Sequence, residues 1–83
     1  MPRFYFDLHN DEDLLDQQGR ELSGLADAKA EAMVEAREMI CASVAEGKID
    51  LRHHIDVRDE GGAIVHQVPF EDAVVVLRAG APV

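Results

Sequence analysis

From Leu25 to Glu46 the chain runs 22 residues without a glycine or proline, and seven of them are alanine. No other stretch limits the fold so tightly, because alanine-rich composition without breakers favours helix over any strand or loop. Ser23 or Gly24 is placed to cap its start, and Gly47 stands where a left-handed C-terminal cap is wanted. At 100° per residue Leu25, Ala28, Ala32, Met33, Ala36, Met39, Ile40 and Ser43 fall in one broad arc. Asp27, Glu31 and Glu38 lie away from it, Glu35 stands at its edge and Val44 at the other margin. Lys29 falls inside the arc, where its aliphatic stem can cross apolar surface while the ammonium reaches water.

Short strand patterns flank this helix. Arg3 to His9 alternates, Phe4, Phe6 and Leu8 sharing one face and Tyr5, Asp7 and His9 the other. Asn10 to Asp13 makes a polar turn, and Leu14 and Leu15 begin a return strand. Asp16-Gln17-Gln18-Gly19 then forms a turn ending in a left-handed glycine, before a strand fragment at Arg20 to Leu22. After the helix, Leu51 to Asp59 alternates again, with Leu51, His53, Ile55 and Val57 opposite Arg52, His54, Asp56 and Arg58. The turn Asp59-Glu60-Gly61-Gly62 returns the chain as Ala63 to Val68. Pro69 has no N–H for a sheet ladder, so the strand leaves or bulges there, and Phe70 is placed to cap the core. Val74 to Leu77 reads as a last edge strand. The expectation is one α+β domain over residues 1–78 with a frayed tail at 79–83: an antiparallel sheet of about four strands in β-β-α-β-β order, with the helix across one face.

Length gives the helix a second meaning. Twenty-two residues span about 33 Å, whereas a strand of this size covers roughly 20 to 23 Å, so one helix end overhangs. Apolar surface running past a protomer's own sheet points to a partner. The reading is a homodimer formed through Met39, Ile40 and Val44; the alternative is a tilted helix whose ends are covered by Phe70 to Leu77.

Charge removes whole classes of function. Seventeen acidic residues against eight basic ones give a net charge of −9, which repels phosphate backbones and anionic lipid surfaces, so neither nucleic acid nor membrane is expected as a partner. Cys41 is the single cysteine, which excludes an intrachain disulfide and suits a reducing compartment. The opening residues lack the basic region and apolar stretch of about 7 to 15 residues that export requires, so the cytoplasm is expected.

The four histidines raise metal binding. His53 and His54 are adjacent on a strand and point to opposite faces, so they cannot chelate one ion. His9 shares a face with Asp7 and Tyr5, and His54 with Asp56 joins them if the first and third strands pair; two histidines and a carboxylate are then geometrically possible. Against this stands the reading of solvated sheet residues, and no metal or cofactor is assigned. Asn10, Asp11, Glu12, Asp13 and Asp16 suggest calcium but lack the D-x-[DN]-x-[DN]-G order. Neither Cys41 nor Ser43 has a histidine three or four residues away to activate it, and Cys41 reads as a small filler. Gly61-Gly62 joins two strands and precedes no helix, so it is no phosphate loop. The expectation is therefore not an enzyme. The open sheet face, carrying Tyr5, Asp7, His9, Arg52, His54, Asp56 and Arg58, mixes charge with one aromatic as interface rims do and is the candidate surface for another protein.

Three segments in order, M-P-R-F-Y-F-D-L-H-N, D-Q-Q-G-R-E-L-S-G-L-A-D-A-K-A-E-A and V-R-D-E-G-G-A-I-V-H-Q-V-P-F-E-D-A, resemble a family of short proteins from alphaproteobacteria such as rhizobia, a domain of unknown function. The resemblance covers Met1 to Ala73; it implies a single domain and carries no catalytic residues. A partial likeness over Asp16 to Ile40, a short strand, turn and alanine-rich helix, is to antitoxin domains of the HicB type. It implies an alternative role, an antitoxin-like or nucleic-acid-mimicking protein that occupies a basic partner. The first reading is a non-enzymatic, homodimeric binding or assembly module.

Overall fold

A computed structural model describes residues 1–10 and 12–80. Asp11 of the polar turn and residues 81–83 of the expected tail lie outside the described residues. The elements are β1 (Arg3–His9), β2 (Asp13–Leu14), β3 (Arg20–Glu21), α1 (Leu25–Ala45), β4 (His54–Arg58), β5 (Ile64–Pro69) and α2 (Phe70–Ala73). The fold is α+β, an open antiparallel sheet with one long helix. Its strand order is β2-β1-β4-β5, and β3 pairs with the start of β1.

The alternating residues divide as their period requires. Phe4, Phe6 and Leu8 of β1, Ile55 and Val57 of β4, and Val68 of β5 are buried together with Ala28, Ala32, Ala36 and Ile40 of α1. The three alanines are fully buried, and the absence of larger side chains lets the helix backbone lie close to the sheet while the phenylalanines fill the layer. Met33 and Met39 pack at its margin. Pro69 ends β5 in the extended conformation and starts α2, whose Phe70 and Ala73 close the end of the core. Arg37 Nε donates to the Ala73 carbonyl at 2.8 Å, tying the two helices together.

Both four-residue turns form as their sequences dictate. Asp59 Oδ1 accepts from the N–H groups of Gly61 and Ala63 at 2.9 and 3.0 Å. Asp16 has a wider task. β2 pairs with β1 only at Leu8 and His9, and β3 only at Arg3 and Phe4, so the middle of that edge lacks a partner strand. The Asp16 carboxylate stands in for it. Oδ2 accepts from Phe6 N–H at 3.1 Å, while Oδ1 accepts from Gln18 and Gly19 N–H at 3.0 and 3.1 Å. Gly19, at φ 70°, lies so close to β1 that a Cβ would stand 2.8 Å from the Phe4 carbonyl oxygen.

Several expectations change. Of the two N-cap candidates, Gly24 takes the position and the Ser23 hydroxyl donates to the Asp27 carboxylate. Leu25 and Cys41 are exposed, so Leu25 is not core and Cys41 is not a filler. Leu51 to His53 precede β4 instead of extending it. Val74 to Leu77 are not a strand: no ladder receives them, and Val75 and Leu77 stand open to solvent. The short α2 carries the chain away from the sheet before they begin.

Candidate functional site

The sheet face turned away from α1 is assembled by register. In the β1/β4 ladder Tyr5 stands opposite Arg58, Asp7 opposite Asp56 and His9 opposite His54. The segment Asp7-Leu8-His9 therefore lies antiparallel to His54-Ile55-Asp56, with Leu8 and Ile55 facing the core. Six of the seven residues assigned to this face from the sequence are brought together. The exception is Arg52, which lies before β4; its backbone N–H and guanidinium bond Asp50 at 2.7 to 3.1 Å, and this local clasp holds it out of the strand.

Asp7 and Asp56 are buried, which an open face does not suggest, and their surroundings differ. Asp7 is neutralised: Arg58 Nε and Nη2 donate to its two oxygens at 2.5 and 3.1 Å, and Asp16 N–H adds a bond of 2.8 Å. Burial pushes the Asp7 pKa up, but the Arg58 hydrogen bond, the Asp16 amide and the Arg58 charge together outweigh it and hold the carboxyl below its usual range. The same guanidinium lies 5.1 Å from the centre of the Tyr5 ring, a cation–π contact that fixes its plane.

Asp56 has only imidazoles for counter-charges among the described residues. His9 Nε2 is 3.1 Å from Oδ2, and His54 Nε2 is 3.6 Å from Oδ1. The latter is beyond hydrogen-bonding distance, and Oδ1 is buried without a hydrogen-bond partner. The two rings stack with centroids 4.8 Å apart and an interplanar angle of 19°. On the far side of His9, Nδ1 lies 2.9 Å from Asp13 Oδ1. An ionised carboxylate only accepts, so Nδ1 carries the proton and Nε2 is turned toward Asp56. The hydrogen bond that His9 Nδ1 donates to Asp13 is the main cause of a raised His9 pKa; burial opposes it and the charges of Asp56, Asp13 and Asp7 add to it.

Asp13 and Asp16 belong to this arrangement, although the sequence places them only in an acidic turn. The signal that finds Asp13 is the register of the first hairpin, in which it pairs with His9.

The candidate dimer residues separate. Ile40 is buried in the protomer's own core, Met39 packs at its edge, and Val44 is exposed. Met39 also lines an open groove with Leu14, Leu15 and Glu35.

Fold and face define a small antiparallel α+β domain with a charged, partly buried inner layer on its open side. The family described as "Domain of unknown function (DUF6894)" matches residues 3–71, and the chain belongs to that family. No curated protein and no solved structure matches. No described helix is long and apolar enough to cross a membrane.

Proposed function

We propose that the protein is a non-enzymatic binding or assembly module that works as a homodimer. One observation carries the reading. The buried helix row runs at four-residue spacing through Ala28, Ala32, Ala36 and Ile40, and its next member, Val44, is 50% exposed. The apolar stripe thus continues past the point where the protomer covers it, and Ile49, also exposed, lies just beyond the helix. A second copy that seats its own overhang there buries both. Leu14 and Leu15, exposed on the sheet edge beside Met39, extend the apolar surface toward the same half of the helix.

Any second partner meets the open sheet face, where Tyr5, Asp7 and Arg58 are already held in place before contact. Preorganised side chains lose little freedom on binding, which favours such a face as a docking surface. With a net charge of −9, a basic protein fits better than an acidic one, and the antitoxin-like reading survives as that case.

Sedimentation equilibrium on the full chain tests the assembly. The expected mass is that of a dimer at micromolar concentration, shifting to monomer in Val44→Glu. A monomer at high micromolar concentration, or a Val44→Glu dimer as strong as the parent, overturns the reading.

A further inference from the structure

We propose that His9, His54 and Asp56 form a site for one borderline divalent transition-metal ion, of which zinc is the fitting case. The site lies on the sheet face opposite α1 and does not depend on dimerisation.

Three donors, one from each residue, lie within 4.8 Å of one another. A zinc ion bound at about 2.0 to 2.2 Å sets neighbouring ligand atoms about 3.3 Å apart in a tetrahedron. His9 Nε2 lies 3.1 Å from Asp56 Oδ2 and His54 Nε2 3.6 Å from Asp56 Oδ1, separations of that scale to the two oxygens of one carboxylate. The rings stack nearly parallel, so a shared ion requires them to turn until both nitrogen lone pairs converge on it, while the β1/β4 register keeps the three residues adjacent.

The buried Oδ1 of Asp56 is the second support. A carboxylate oxygen buried without a hydrogen bond is costly, and His54 Nε2, 3.6 Å from it, is too far away to supply one. One cation between them satisfies both. Asp7, by contrast, already has Arg58 and is no ligand.

Asp13 completes the pattern. Metal-binding histidines hold the other ring nitrogen to a carboxylate or carbonyl, which fixes the tautomer and aims the free lone pair; the Asp13 contact does this for His9. The donor set, two imidazoles and one carboxylate, selects zinc, cobalt or nickel over the oxygen-seeking calcium and magnesium. His9 and His54 retain 24% and 39% side-chain exposure, which leaves the ion an entry path and positions for water.

Isothermal titration of the full chain with zinc chloride alone, in a buffer that does not chelate zinc, tests the site. Expected is saturable binding near one ion per chain, at least tenfold weaker in His54→Ala and in His9→Ala. The Asp13→Asn variant weakens it by about 10- to 100-fold. His66→Ala, outside the cluster, leaves it unchanged. Histidine ring ¹⁵N spectra of the parent protein give a readout free of any folding defect in the variants: zinc shifts the Nε2 signals of His9 and His54 and spares His66. No saturable heat, or binding equally tight in the His9 and His54 variants, or ring shifts confined to other histidines, overturns the proposal.

Discussion

At the scale of single residues, Asp16 and Gly19 do more than close a turn. Gly19 sits at φ 70° with β1 backbone against it, so Gly19→Ala adds both left-handed strain and a contact that only the backbone can relieve. The expected loss is about 2 to 4 kcal/mol of unfolding free energy, read by urea denaturation. Burial pushes the Asp16 pKa up, but hydrogen bonds from Gly19, Phe6 and Gln18 N–H and the charge of Arg20 win, and the group titrates below its ordinary 3.8. Its folded value lies below the unfolded one, so its stabilisation is whole above pH 4 and is lost as pH falls through the folded value. Stability measured from pH 6 to pH 2 should decline on the acid side, with a shallower slope in Asp16→Asn. The faces of these residues were legible from the period of two. That Asp16 reaches Phe6, and Asp13 reaches His9, was not, because those contacts depend on where two-residue strands choose to pair.

Among the elements, α1 was read from its composition almost to the residue, with predicted limits Leu25–Glu46 and observed limits Leu25–Ala45. Its packing distance follows from Ala28, Ala32 and Ala36, which leave no room for growth. Ala36→Leu therefore overpacks the layer and should cost about 1 to 3 kcal/mol, with the helix signal in circular dichroism retained at low temperature and lost at a lower midpoint. Elements settled by competition between partners were harder to read. Val74 to Leu77 have strand composition yet find no ladder, because the turn of α2 at Phe70–Ala73 redirects the chain. Arg52 has the parity of a β4 residue, but its bonds to Asp50 form within three residues and forestall the strand. The layer of His9, His54 and Asp56 needed a register between β1 and β4 that alternation alone leaves free by steps of two.

For the molecule as a whole, β1 is the seam. It carries β2 and β3 on one edge and β4 on the other, and its pairing with β4 joins Tyr5 to Arg58 across most of the chain. Loops of that length close slowly compared with a hairpin. On the ribosome, β1 emerges about 45 residues ahead of β4, and at about 5 to 20 residues per second it waits seconds for its main neighbour. During that interval α1 can wind, but its alanine row has no complete sheet to rest on. The order of synthesis thus leaves β1 with only its short pairings to β2 and β3 until β4 emerges, and that interval is when the nascent chain most needs protection from its neighbours.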